Sequence, residues 1–553
     1  VDQDRTDYDF IIIGSGAGSV IASLVLKDAG KTALIIEKEA TFGGSTALSG
    51  GVVWVPCNAP GREAGVRDRP DLARDYLDAC AGPLTKGSSR ARRDAFLDQA
   101  PAAIDYLRAK GMKLVHAEGY ADYHEGEYPG GLPRGRAIVP AIFDMNDLGE
   151  AASMIGWSPA VPPVMTHEAG KLTLYGRTLA SKKTLATVGL RMMQNRLRGK
   201  RLVGIGLSLQ GRLLQIALRN DLPILLDTPV TDLLVEDGAV TGVTVMRNGR
   251  KTVLRARSGV LINAGGFARN AQMRAQHLRQ PSDPRWTVSN AGDTGEMQQA
   301  AMALGADVEN MDLCWWVPGT LLPDGSPNVS VFEHARPHAI LVDQQGRRFT
   351  NEATSYVRQG LDFYARHQAE PAIPAWIIID ARHRKRYMFG QAMPGKTPET
   401  WFESGYMKRA NTIGALAEQC GIPADALRAE IDRFNGFARN GRDEDFHRGE
   451  GAYARYLGDP THRPNPSLGT IEQAPFYAVA YYPCDVGTCG GLVTDEHARV
   501  LRQDGTPIAG LYACGNSTAC VCGPSYPGAG ASISASLTFG FVAARHAARP
   551  NDC

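Results

Sequence analysis

The stretch Phe10-Ile11-Ile12-Ile13-Gly14-Ser15-Gly16-Ala17-Gly18-Ser19 decides the fold. Its first four residues are apolar and mostly β-branched, the texture of a central parallel strand buried on both faces. The glycines follow at once. Val20 to Ala29 then reads as a helix that Gly30 can cap, and Thr32-Ala33-Leu34-Ile35-Ile36 as a second strand ending at Glu37. Gly14 permits a tight turn and Gly16 lets the backbone approach a pyrophosphate, which the N–H groups at the helix start then face. Ser15, Ala17 and Gly18 complete that turn. Glu37 stands at the spacing expected for a ribose hydroxyl acceptor. The third glycine position holds Ser19, small enough to keep close helix–strand packing. Strand, glycine turn, helix, strand and acid in this order predict an α/β chain with a Rossmann-type dinucleotide domain.

A second small-residue stretch follows shortly after Glu37, from Phe42 to Gly51, and reads as a loop. Gly43, Gly44, Gly50 and Gly51 let backbone lie against a flat ring, while Ser45, Thr46 and Ser49 offer hydroxyls to diphosphate or ring edges. The apolar run Val52-Val53-Trp54-Val55-Pro56 predicts that this loop is buried. NAD enzymes do not usually need such a second loop, so the reading is FAD. No histidine or cysteine lies between Gly43 and Gly51, so the FAD is expected to be non-covalent. Gly259 to Phe267, containing Ala264 and Gly265, and Gly510 to Asn516, containing Gly515, read as returns of the chain to the same sheet. Pro229 to Leu233 and Val240 to Val245 supply a strand pair. Gly528-Ala529-Gly530-Ala531-Ser532 opens a last helix through about His546. Its positive end, aimed at a flavin's N1–O2 edge, would stabilise the reduced anion. No second GxGxxG follows another strand, so no separate NAD(P)H domain is expected.

The chain has 553 residues, enough for two or three domains. Sixty basic and 58 acidic side chains leave a formal charge of +2, which excludes a global field for steering nucleic acid. Ten cysteines are scattered without a CxxC pair, so reduced thiols and no metal site are expected. The polar start, Val1 to Tyr8, does not read as a secretory signal, and no stretch of 18 apolar residues occurs; a cytoplasmic protein is expected. The FAD-binding elements are discontinuous: 1–316 and 488–553, enclosing an α+β catalytic and substrate domain at 317–487. Residues 139–206 form a further insertion candidate, where Lys182, Lys183, Arg191, Arg196 and Arg198 punctuate apolar residues. Two readings stand open there: a solvated amphipathic helix, or a helix lying on anionic lipid.

With these motifs in place, the chain resembles the fumarate reductase-like flavoproteins, and among them the 3-ketosteroid Δ1-dehydrogenases. The first glycine motif, the Gly43–Gly51 loop and Arg347-Arg348-Phe349-Thr350-Asn351-Glu352 are shared across that superfamily. Three segments are specific: Ala121-Asp122-Tyr123-His124, Asn351-Glu352-Ala353-Thr354-Ser355-Tyr356 and Ser525-Tyr526-Pro527-Gly528-Ala529-Gly530. The long 139–206 region is similar to members acting on cholest-4-en-3-one, which associate with membranes. The resemblance extends the expected FAD contacts to Lys38, Val230, Asp293, Asn516 and Ile533.

It also implies removal of hydrogen from C1 and C2 of a 3-keto-4-ene steroid such as androst-4-ene-3,17-dione, with a quinone-type electron acceptor. Tyr526 O–H and Gly530 N–H would hold the 3-keto oxygen as charge develops there. Tyr356 would take the C2 proton with help from Tyr123, and the C1 hydride would go to flavin N5. Three alternatives stand beside it: a Δ4-(5α)-dehydrogenase, a fumarate-type reductase using Arg347, Arg348 or Arg358, and a non-catalytic flavin-binding scaffold.

Overall fold

The computed structural model describes residues 5–156, 161–247 and 249–549. The first residues of the polar N-terminal stretch (1–4), residues 157–160 of the 139–206 segment and the final residues 550–553 lie outside the described residues.

The Ile-rich run forms the strand Asp7–Ile13 at the centre of an eight-stranded sheet. It pairs in parallel with Ala33–Ile36 on one side and with the second half of Arg250–Ile262 on the other. Ile224–Leu225 and Pro507–Ala513 extend the parallel set at either side. Phe10, Ile11 and Ile12 are fully buried, and each such side chain contributes roughly 1.5–3 kcal/mol of burial. The first half of Arg250–Ile262 runs antiparallel to Ala239–Arg247, which pairs with Val230–Glu236, so the expected strand pair is present.

The first helix is Ala17–Asp28, beginning earlier than Val20 because the turn is complete at Gly16. It crosses the long helix Ala531–Ala548 at backbone contact. A Cβ on Gly18 would sit 2.3 Å from the Ser536 carbonyl oxygen, and one on Gly540 would sit 2.4 Å from the Gly18 oxygen. Close approach therefore falls on Gly18. Ser19 instead uses its hydroxyl, donating to the Gly14 carbonyl at 2.8 Å and accepting from Asn263 at 2.8 Å.

A second, antiparallel sheet of six strands stands beside the first. Its spine is the pair Cys314–Leu321 and Phe476–Thr488, joined by Pro327–Val329, Ala375–Ile379, Ala339–Val342 and Met407–Ala410. The excursion within 139–206 leaves and returns through one two-stranded ladder, Phe143–Asp144 with Leu202–Val203. It carries the helices Thr166–Leu172 and Leu179–Arg198. Between Phe42 and Gly51 the structure corrects the loop reading. Gly43 is left-handed at φ 113°, and Gly44–Leu48 then closes a short helix whose far end Ser49 caps with an extended backbone.

The arginine motif Arg347–Glu352 is scaffold. Buried Arg348 pairs with Glu352 at 2.8 Å and Asp443 at 2.8 Å, and Glu352 also pairs with Arg448 at 3.0 Å. The scattered cysteines converge more than their spacing suggests. Cys489, Cys520 and Cys522 are buried together, with the Cys522 amide donating to the Cys520 sulfur at 3.3 Å.

Candidate active site

A cavity of about 340 Å³ runs along the C-terminal ends of the parallel strands to the second sheet. Open α/β sheets place ligands at such strand ends. At one end lie Gly14, Ser15, Gly16, Glu37, Lys38 and Val230; at the other lie Tyr123, Tyr356 and Tyr526. Between them the lining includes Gly44, Ser45, Thr46, Ser49, Gly50, Gly51, Ala264, Gly265, Asp293, Gly515, Asn516, Gly530, Ser532 and Ile533. Four residues from the expected set do not line it. Ala17 and Ala531 are the first residues of their helices, Gly18 serves the helix crossing, and Gly43 donates its N–H to Ser15 Oγ at 2.7 Å.

These residues fit an FAD. Gly14 and Gly265 are left-handed, and a Cβ on either would lie 2.2 Å from the Asn263 oxygen or 2.0 Å from Asp293 Oδ1. The backbone there is bare and extra bulk has no room. The helix Ala17–Asp28 starts without a cap from its own N-cap side chain; the Gly18 N–H donates to Ser536 Oγ at 3.1 Å and the Ser19 N–H to the Gly16 carbonyl at 3.0 Å, and the positive end of the helix dipole favours an anion. Glu37 accepts from Ser15 N at 2.9 Å and Ser15 Oγ at 2.6 Å, so its carboxylate braces the turn as well as facing the cavity. Asp293 accepts from Ser45 Oγ at 2.7 Å, and burial pushes its carboxyl up to about 6. Among the described residues, no histidine or cysteine lines the cavity.

At the far end the three tyrosines form one cluster, Tyr123 and Tyr526 buried and Tyr356 partly buried. Ring centroids of Tyr123 and Tyr356 are 5.4 Å apart, those of Tyr356 and Tyr526 5.6 Å, and those of Tyr123 and Tyr526 6.0 Å. Tyr356 is the first residue of the helix Tyr356–Ala369, which the second sheet positions. Tyr526 lies outside helix before Pro527, and its hydroxyl sits 3.1 Å from Ser532 Oγ over the start of Ala531–Ala548. Burial pushes the Tyr123 and Tyr356 phenols well above the usual range, and a hydrogen bond from Tyr123 opposes the rise at Tyr356. Burial also raises Tyr526, against hydrogen bonds from Ser532 and Tyr356.

A supporting layer holds the cluster. Buried Asp122 pairs with Arg136 and accepts from Trp54 Nε1 at 2.9 Å, while Arg136 also pairs with Asp68 at 2.8 Å. Trp54 packs directly on the Tyr526 segment: a Cβ on Gly528 would fall 2.4 Å from its Cδ1. The His124 ring packs on Tyr128 at 5.1 Å, with Nδ1 3.3 Å from Glu127.

The sequence reading missed several lining residues, among them Tyr120, Thr166, Trp315 and Val331. Trp315 stands 4.8 Å from the Tyr526 ring, and its Nε1 donates to Asn516 at 3.1 Å. The Trp315-Trp316 pair was a visible signal, whereas Thr166 and Val331 lie in stretches with no motif. The arginines held open for a dicarboxylate are engaged elsewhere. Arg348 is buried against acids, Arg347 pairs with Glu430 at 3.7 Å and Arg358 with Asp362 at 2.9 Å. Among the described residues, no arginine lines the cavity.

Residues 9–533 match the model of a family described as an FAD binding domain. The chain is 41% identical to a 3-oxosteroid 1-dehydrogenase from Mycolicibacterium smegmatis, over 97% of this chain and 96% of that protein. The crystal structure of 3-ketosteroid Δ1-dehydrogenase from Sterolibacterium denitrificans, in complex with 1,4-androstadiene-3,17-dione, superposes with a TM-score of 0.92 at 36% identity. The match covers 99% of this chain and 100% of that one. A 3-ketosteroid Δ4-(5α)-dehydrogenase from Rhodococcus jostii shares the fold at a TM-score of 0.68 and 21% identity, covering 99% of this chain and 98% of that one.

Proposed function

This chain belongs to the 3-oxosteroid 1-dehydrogenases of the FAD binding domain family, and on that premise we propose that it oxidises the C1–C2 bond of a 3-keto-4-ene steroid. The observation that carries the reading is the tyrosine cluster closing one end of the cavity that the dinucleotide-binding glycines line, where, among the described residues, no arginine stands to bind a carboxylate. The C2 proton lies α to the ketone and becomes acidic when donors hold the ketone oxygen. Tyr526 O–H and Gly530 N–H are the donors in this assignment. Tyr356 accepts the C2 proton, and Tyr123 hydrogen-bonds the resulting charge. FAD, held without a covalent bond, supplies the acceptor for the hydride that leaves C1. Tyr123 and Tyr526 are buried, and a low-dielectric setting strengthens such hydrogen bonds.

Incubation with androst-4-ene-3,17-dione and an artificial electron acceptor tests the reaction. A product lighter by two hydrogens, with the new double bond at C1–C2, is expected. Oxidation only of 5α-saturated steroids at C4–C5 would replace this reading with the Δ4-(5α) reaction.

The electron acceptor in this reading is a membrane quinone, and the protein meets it at a lipid surface. Among the described residues, no helix is long and apolar enough to cross a membrane. Leu179–Arg198, however, turns Leu179, Leu190, Met193 and Leu197 outward, with Leu179 85% and Leu197 73% exposed. The same helix carries Lys182, Lys183, Arg196 and Arg198 and no acidic residue, a pattern suited to anionic headgroups. It packs on Thr166–Leu172, whose Thr166 lines the cavity. Flotation with anionic but not neutral vesicles, lost in Leu190→Asp/Leu197→Asp, is expected. Equal flotation of both proteins would remove the membrane from the account.

A further inference from the structure

A second, smaller cavity of about 110 Å³ lies behind the wall of the first. Two elements face both. Thr166 lines the large cavity, and Thr173, at the other end of the same helix, lines the small one. Val331 lines the large cavity, and its neighbours Ser330 and Phe332 line the small one. The partition is made of rings: Phe332 packs on Tyr456 at 6.2 Å, and Tyr456 on Tyr120 of the large cavity at 4.9 Å.

The small cavity holds a cation with no carboxylate partner among the described residues; its guanidinium lies over the Phe332 ring at 5.4 Å and the Tyr387 ring at 5.9 Å. Arg336 lines it and is 1% exposed. Its guanidinium donates to the Gly458 and Gly170 carbonyls and to Thr173 Oγ1 at 2.7 Å, all uncharged acceptors, and its Nε has no partner. Among the described residues, no carboxylate lies within salt-bridge distance of it. The nearby Asp459 is taken by Arg177 at 2.8 Å and Tyr387 at 2.8 Å. Burial pushes Arg336 down to about 10, so it stays charged at neutral pH. Asn328 Nδ2, on the same wall, is a second buried donor without a partner. Glu333 also faces the cavity, but both its oxygens already accept, from the Gly390 amide and from Tyr481 O–H at 3.0 Å. Burial raises its carboxyl toward the neutral form. A buried guanidinium and orphan donors lining a cavity are costly unless an acceptor meets them.

We infer that this second cavity is a subsite for a carboxylate at the end of a substrate's side chain, reached when the Phe332 and Tyr456 rings swing aside. The inference rests on the proposed steroid reaction and names a substrate class for it: 3-keto-4-ene steroids with an acidic side chain. Arg336 would pair with the carboxylate and Asn328 would donate to it, while the A ring stays at the tyrosines.

The test compares 3-oxochol-4-en-24-oic acid with its methyl ester, which differ at the chain end by the charge and one methyl group. In the wild-type holoenzyme, KM for the acid is expected at least tenfold below that for the ester. Arg336→Met should abolish the difference. Because Arg336 also ties two carbonyls, Thr173→Leu, which fills the cavity, keeps the guanidinium on both carbonyls and removes only one neutral acceptor, should abolish it too. Turnover of androst-4-ene-3,17-dione, which has no such chain, should be unchanged in Thr173→Leu. Equal KM values in the wild type, or a preference that survives Thr173→Leu, would overturn the subsite. Failure of the enzyme to oxidise any of the three steroids would instead overturn the proposed reaction.

Discussion

The amide of Tyr123 donates to the carbonyl of Pro527 at 3.0 Å, which ties two of the cluster's three tyrosine segments together through backbone. The Tyr76 hydroxyl donates to the same carbonyl at 2.6 Å and accepts from the His124 amide at 3.1 Å. A turn near the chain's C-terminal end is therefore clamped to a loop from its first quarter. The positions of Tyr123 and Tyr526 are coupled by this clamp, not by contact between their rings alone.

Gly528→Ala tests the clamp. Its methyl would collide with the Trp54 ring and push the Pro527–Gly530 turn outward. Misplacement near 1 Å typically costs about 10² in rate. Flavin content should stay normal while kcat for androst-4-ene-3,17-dione falls by about that factor. A normal kcat would show that the turn tolerates displacement.

Asp122→Asn strikes the support beneath. It leaves Arg136 with one carboxylate instead of two in a buried setting. Loss of a buried partner typically costs about 3–5 kcal/mol. Urea unfolding should show a loss approaching that range, larger than for substitution of an exposed acid such as Asp425. A loss below about 1 kcal/mol would make the pair dispensable.

Tyr526→Phe removes one of two proposed donors to the ketone. Turnover should fall roughly 10²–10³ and steroid affinity should weaken, with activity remaining through the Gly530 N–H. Full activity would exclude Tyr526 from the oxyanion role.

Much of this was legible in sequence because it is local. The Ile-rich strand, the glycine turn and the small-residue helix start each depend on neighbours within a few residues, and period and residue type report them directly. The three tyrosine segments were legible by resemblance. The rest depends on partners distant in the chain. Nothing near Asp122 announces Arg136 or Trp54, and nothing near Thr166 announces that its helix flanks the cavity. Arg348 reads as a free cation until Glu352 and Asp443 are seen against it. The Phe42–Gly51 stretch misled because small residues serve loops and short helices equally, and the choice was made by the left-handed Gly43.

Asp293 gives a pH-dependent signature in the FAD-free protein. Burial holds its carboxyl at about 6, above an ordinary value of 3.8. A raised folded pKa contributes stability that is full below about 3.8 and lost as pH rises through about 6. A rise from 3.8 to about 6 corresponds to roughly 3 kcal/mol. Asp293→Asn should therefore match wild type near pH 4 and unfold at higher temperature than wild type at pH 8. A difference independent of pH would refute the titration.

The role of Tyr356 as base makes two linked demands. Its phenol is held above the usual range by burial, so the fraction able to accept a proton grows as pH rises. Steroid oxidation should accelerate from pH 7 toward pH 10. Phenylalanine at this position keeps the ring and its packing but has no oxygen to take the proton.

Exchange of the C2 hydrogen reads that step alone. Holoenzyme with its flavin kept oxidised is incubated with androst-4-ene-3,17-dione in deuterated buffer, and deuterium at C2 of the unconverted steroid is followed by mass spectrometry. Wild type should incorporate deuterium at C2, faster at higher pH. Tyr356→Phe should exchange at least about 10² more slowly, the scale of a lost general base, while still binding the steroid. Exchange at the wild-type rate in Tyr356→Phe would contradict the assignment of Tyr356 as the base.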